Sequence, residues 1–172
     1  MVAVIGFHGQ GADGARFFSD AGRPAWLDWC PDWQDLWGDS PKAFAALIAD
    51  QGVQFVAVGY SLGGDFLAQL TYYAADYLRG VLVYESPLLS VTRPNSLPIP
   101  CMIIWNDYRP LTRKRREGKW YSISRWTQAY PHAEQRFGKL KGHVTFKPRR
   151  PWIHHAWDTS LNKIIETWIR GC

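Results

Sequence analysis

Four stretches of this chain carry no charge and few polar side chains: Val2 to Phe7 (VAVIGF), Val53 to Gly59 (VQFVAVG), Gly80 to Tyr84 (GVLVY) and Pro100 to Trp105 (PCMIIW). Each is too short for a typical buried helix and too apolar to leave one face in water, so each reads as a strand buried on both faces. Such strands belong to parallel sheets, whose neighbours must be joined by crossovers, usually helices. The intervening segments supply them. Asp13 to Ala21 allows a short helix with Phe17 and Phe18 inward, and Ser40, Pro41 and Gly52 punctuate a second helix whose stripe is Phe44, Leu47 and Ile48. Beyond Val53 to Gly59, Leu62, Phe66, Leu70, Tyr73 and Tyr77 recur at intervals of three and four, which predicts a helix starting within a residue or two of Ser61. Leu161, Ile164, Ile165, Trp168 and Ile169 define a final amphipathic helix.

Pro24 to Cys30 (PAWLDWC) reads as a further, edge-tolerant strand, residues 120 to 130 as a helix, and Ala133 to Leu140 as a sixth strand of more polar character. The Pro- and Ser-rich connection between Tyr84 and Pro100 leaves no room for a lid domain. The expected architecture is α/β, a three-layer α/β/α sandwich around a mostly parallel sheet of about six strands. With 172 residues the chain suits one domain, residues 1–172. Right-handed crossovers would bring the loops after its strands to one edge, where ligands bind in such sheets.

Composition narrows the functional classes. No apolar run is long enough to span a membrane, Met1 leads into VAVIGF without the basic start of a signal peptide, and Cys30, Cys101 and Cys172 form no Cys-x-x-Cys pair. A cytoplasmic protein with free, buried thiols is expected. The net charge of +5 is uneven, since residues 1 to 100 carry five Lys/Arg against ten Asp/Glu and residues 109 to 150 carry thirteen against two. Such a block attracts acidic substrates or partners, or is a solvated surface. The ten Trp are dispersed and form no nucleic-acid signature, so nucleic acid is not the expected partner.

The motif GYSLGG, residues 59 to 64, follows the VQFVAV run and opens a helix. A serine there is either the helix N-cap or a nucleophile held on a sharp strand-to-helix turn, and the flanking glycines suit a strand and helix that approach closely. A nucleophilic serine needs a base and an acid to orient it, in the chain order Ser, Asp or Glu, His. Asp107 follows the PCMIIW strand and is the first candidate acid, and Glu85, ending GVLVY, is the alternative. His143 in KGHVTF is the first candidate base, with His154 and His155 next should its loss leave activity intact. His8 braces the first loop in this reading, and His132 follows Pro131 at a helix end. His154, His155 and Asp158 do not make an H-E-x-x-H pattern, so no metal is assigned. The backbone N–H groups of Leu62, at the helix start, and Gln10, in FHGQGADG, are the candidate oxyanion donors. That Gly-rich loop lacks the Lys-Ser/Thr of a phosphate-binding P-loop, and Asp28 is the one residue near the position of a dinucleotide's acidic ribose partner.

These residues resemble the α/β-hydrolase superfamily. HGQGADG is similar to the oxyanion loop of its small carboxylesterase and acyl-thioesterase branches, GYSLGG to its nucleophile elbow, PCMIIWND to its acid-bearing strand and KGH to its histidine loop. The resemblance implies a minimal, lidless, cofactor-free serine esterase with Ser61, Asp107 and His143 as triad and Gln10 and Leu62 as oxyanion donors. Its substrate would be a small or accessible ester, with an anionic one favoured if the basic segment borders the site. A thioesterase would use the same residues. A non-catalytic hydrolase-like protein binding an acidic partner through residues 109 to 119 (RPLTRKRREGK) is the alternative.

Overall fold

A computed structural model describes residues 2–34, 40–86, 99–106, 113–116, 119–122, 144–149 and 157–172. The first run forms β1 (Ala3–Phe7), followed by α1 (Gly14–Asp20), whose start is capped by Asp13 accepting from the Arg16 N–H. The punctuated helix is α2 (Pro41–Gln51): Ser40 Oγ accepts from the Ala43 N–H at 3.3 Å, Pro41 opens it, and Gly52 ends it at φ 63°. It leads into β2 (Phe55–Tyr60), α3 (Leu62–Leu70) and β3 (Leu78–Tyr84). Next come β4 (Cys101–Asn106), β5 (Arg113–Arg116), β6 (Lys119–Ser122), β7 (Val144–Arg149) and α4 (Asn162–Arg170).

The main sheet has the order β1-β2-β3-β4-β7 and every pairing in it is parallel. Alternation along each strand divides the core in two. Phe7, Phe55, Ala57, Val81, Val83 and Ile103 face α2 and α3, whereas Val4, Val56, Val58, Leu82, Tyr84 and Ile104 face α1 and α4. The three-layer sandwich is therefore present. A cluster of rings fills the first face: Phe44 meets Phe7 edge-on at 5.1 Å and Phe55 at 6.0 Å, and Phe7 stacks on Phe66 at 5.2 Å.

Three expectations change. Pro24 to Cys30 is not a strand: Trp29 makes a single parallel bridge with Ile5, and the segment is held by Gly6 N–H donating to the Trp29 carbonyl and by Asp28 Oδ2 accepting from the Val4 N–H. The helix expected over residues 120 to 130 gives way at its start to β6, which pairs antiparallel with β5 as a two-stranded ribbon in the basic segment. The helix after Ser61 ends at Leu70 instead of continuing to Tyr77, because the Tyr72 and Tyr73 N–H groups turn to the carbonyls three residues back and Thr71 Oγ1 donates to the Ala68 carbonyl. The strand expected over Ala133 to Leu140 lies outside the described residues, and five strands of the main sheet are described. Among the described residues no helix is long and apolar enough to cross a membrane.

Phe44 is fully buried at the centre of the ring cluster. Phe44→Ala is expected to lower the unfolding free energy by about 3–5 kcal/mol in chemical denaturation; a loss below about 1 kcal/mol would mean that α2 is not held to the sheet by this contact.

Candidate active site

Because the strands are parallel, their leaving ends line one edge. Phe7 pairs with Gly59, Tyr60 with Tyr84, Tyr84 with Ile104, and Asn106 with Arg149. Ser61 is the next residue after β2 and stands at that edge, half-exposed. Its backbone is at φ 55°, ψ −120°, a conformation that side-chain-bearing residues avoid at a cost of about 1–3 kcal/mol. Its hydroxyl makes no capping hydrogen bond to α3, so the N-cap role is not the one the geometry serves. The Ser61 N–H instead donates to the Tyr84 carbonyl at 2.9 Å, and its own carbonyl accepts from the Gly64 N–H at 3.0 Å.

Glycines make this turn possible by leaving room where backbones meet. A Cβ on Gly63 would run into the Phe7 carbonyl group, one on Gly59 would meet Gly64 Cα at 2.8 Å, and one on Gly9 would meet Ser61 Cβ at 2.9 Å. The loop after β1 therefore lies directly against the serine. Gln10 is exposed next to Gly9, and its N–H has no hydrogen-bond partner among the described residues. Leu62, first in α3, has no carbonyl one turn earlier for its N–H. One candidate donor thus follows a loop residue that lies against Ser61, and the other follows Ser61 itself.

Two buried polar residues that the sequence reading passed over brace this corner. Asp65, in the first turn of α3, accepts from Ser86 Oγ at 2.8 Å, tying the helix start to the chain leaving β3. A carboxylate there also faces the positive end of the helix. Its one legible signal was an acid on an otherwise apolar helix, four positions after the serine. Glu85, the alternative acid, directly follows β3 in a buried position with φ 52°.

Asp107, His143, His154 and His155 lie outside the described residues, but their described neighbours have defined places. Asn106 ends β4 at the same edge as Ser61. Val144 opens β7 opposite Cys101, Cys101 stands opposite Val81, and Val81 opposite Ala57. Ala57 precedes Ser61 by four residues (61 minus 57), about 13 Å along a strand, and β7 is about 14 Å across the sheet from β2. The chain instead reaches the Ser61 edge at Arg149. After it, Trp157 stacks on Tyr84 with centroids 4.2 Å apart and lies 6.3 Å from Tyr60, while the Asp158 N–H donates to Tyr84 Oη at 2.7 Å. Tyr84 thus joins the segment after β7 to the same strand end that holds Ser61.

The three thiols are poor competitors as nucleophiles. Burial pushes Cys30 and Cys101 up to about 12 and raises Cys172 as well, so all three are protonated at neutral pH. Among the described residues no group of three or more His, Cys, Asp or Glu could hold a metal ion.

Backbone strain at Ser61 has a measurable signature. Ser61→Gly removes the Cβ that makes this conformation costly, whereas Ser61→Ala keeps it, so the glycine variant should be the more stable by about 0.5–2 kcal/mol after the added chain entropy of glycine is deducted. Equal stabilities in denaturant titrations, or a weaker glycine variant, would mean that the turn is not strained.

No protein-family model and no curated protein sequence matches the chain. Solved structures do. A carboxylesterase from Mesorhizobium loti superposes with a TM-score of 0.67 at 16% identity, covering 99% of this chain and 89% of the other. Arabidopsis thaliana SOBER1 gives 0.70 at 14% identity over 99% and 98% of the two chains, and a predicted CIB-like hydrolase from Thermoplasma acidophilum gives 0.62 at 14% over 99% and 87%. With its parallel sheet clad by helices on both faces and this likeness along nearly its whole length, the chain has the fold of the α/β-hydrolase superfamily.

Proposed function

We propose that the protein is a cofactor-independent serine hydrolase, a carboxylesterase acting on small or accessible acyl esters. The observation that carries this reading is Ser61 itself: a strained, uncapped serine at the leaving edge of the sheet, with the loop after β1 packed against it. Ser61 Oγ attacks the ester carbonyl, a histidine takes its proton and returns it to the leaving alcohol, and water then releases the acyl group from the serine. The Gln10 and Leu62 N–H groups receive the oxyanion. Asp107, next to Asn106 at the Ser61 edge, is the proposed acid, with Glu85 its alternative. A thioester would pass through the same steps, and the basic segment favours anionic substrates. Free thiols fit a cytoplasmic setting for this reading.

The register of β7 bears on the base. Val144, the residue after His143, opens β7 at the opposite end of the sheet from Ser61, whereas Arg149 and Trp157, between which His154 and His155 fall in sequence, are on the Ser61 side. A histidine can serve as base only within about 3 Å of the serine oxygen, directly or through one water. We therefore assign the base to the His154–His155 pair in preference to His143.

Single alanine variants at the three positions, assayed on p-nitrophenyl acetate, test the whole reading. His154→Ala or His155→Ala is expected to lower kcat by at least about 100-fold, and His143→Ala to leave it within a few-fold. A loss confined to His143→Ala would return the base to that position, and wild-type protein no faster than Ser61→Ala on a panel of esters and thioesters would refute hydrolysis. Wild-type activity is expected to rise with pH through a group near the ordinary histidine value of about 6.5, as the base loses its proton.

A further inference from the structure

We propose that His8 and Trp33 are positioning residues that aim the Gln10 N–H at the oxyanion, a role that rests on the serine-hydrolase reading above. His8 is buried, 2% exposed, at the end of β1, and its Nδ1 lies 2.9 Å from the Gly9 carbonyl oxygen. A carbonyl can only accept, so Nδ1 carries the proton, and the ring is a donor toward Gly9. Nε2 has no hydrogen-bond partner among the described residues. The contact with Gly9 is therefore what this polar ring contributes there. Trp33, 1% exposed, packs on the His8 ring at 5.6 Å and on Phe66 at 4.5 Å, and its Nε1–H donates to the His8 carbonyl at 3.1 Å.

Both bonds fall on peptide groups that lead to the site. A trans peptide is planar and its N–H points opposite to its C=O, so holding one orients the other. The His8 carbonyl shares its plane with the Gly9 N–H, and the Gly9 carbonyl shares its plane with the Gln10 N–H. Trp33 fixes the first plane and His8 the second, with the Ala12 N–H adding a 3.3 Å bond to the Gly9 carbonyl. Gly9, which would touch Ser61 if it carried a Cβ, is the pivot between them. A glycine-rich loop is otherwise free to rotate such planes, and a rotated Gln10 N–H would no longer face charge developing at Ser61. An oxyanion donor acts chiefly in the transition state, so the effect belongs in kcat and not in KM.

His8→Ala and His8→Asn, with Trp33→Phe, test this in steady-state hydrolysis of p-nitrophenyl acetate, with thermal unfolding recorded for each. Asn places an amide N–H where Nδ1 stands and preserves the donor to Gly9. His8→Ala is expected to lower kcat about 10- to 100-fold, short of or equal to the loss of a whole donor, with KM within about threefold. His8→Asn should recover kcat to within about fivefold of wild type even if it melts as early as His8→Ala. Trp33→Phe keeps an aromatic ring against Phe66 and should lose about 3- to 10-fold in kcat. Unchanged kcat in His8→Ala, or an Asn variant as slow as the Ala variant, would overturn the role. Should His8→Ala fail to fold, the Asn variant and Trp33→Phe decide it on the same criteria. Wild-type activity that depends on Ser61 separates these outcomes from failure of the hydrolase reading, which would leave wild type and Ser61→Ala alike.

Discussion

The close approach of α3 to the ends of β1 and β2 is the constraint from which the rest of the site follows. A helix can begin one residue after a buried strand only if backbone meets backbone, and Gly59 and Gly63 are the positions where it does. With any side chain there, the helix would be displaced from the strand ends by collision with carbonyl groups of β1 or with the first turn of α3 itself. The approach forces Ser61 into its positive-φ conformation and leaves the hydroxyl uncapped. It also brings the loop after β1 against the serine, so that Gly9 and Ser61 nearly touch. Asp65 and Ser86 then fasten the other side of the helix start.

Much of this was legible because it depends on local chemistry. Ser40, Pro41 and Gly52 each have a physical reason to start or stop a helix, and α2 has the predicted ends. The apolar runs read as doubly buried strands, and their central residues, 4–7, 55–59, 80–84 and 101–104, are buried. GYSLGG was legible because only a close approach asks for glycines on both sides of a serine. The misreadings come from places where tertiary contacts outweigh pattern. PAWLDWC has strand-like residues, but the hydrogen bonds through Trp29 and Asp28 hold it beside β1 without a ladder. β7 (VTFKPR) contains a lysine and a proline, which disguise a strand and are tolerated because it lies at the end of the described sheet order. The last strand was therefore expected at Ala133 to Leu140, whereas β7 opens at Val144. The Tyr84–Trp157–Asp158 junction was not legible at all, since residues 74 apart in sequence gave no sign of meeting.

Function in this arrangement is a matter of edges. Parallel strands send every loop after a strand to one side, and Ser61 stands there, carried by the ends of β2 and β3. The strain at Ser61 is a cost to folding that packing elsewhere offsets, which is the usual relation between a rigid core and a strained corner. Tyr84 illustrates the economy of the edge: its carbonyl holds the Ser61 N–H, its ring stacks on Trp157, and its hydroxyl receives the Asp158 N–H. One strand end thereby couples the serine turn to the segment that follows β7.

Activation of Ser61 as a nucleophile is read out by covalent labelling with a fluorophosphonate, the adduct being mapped by mass spectrometry. A single adduct on Ser61, abolished in Ser61→Ala, is the predicted result. No adduct under conditions where the protein is folded, or labelling that survives Ser61→Ala, would mean that Ser61 is not the nucleophile.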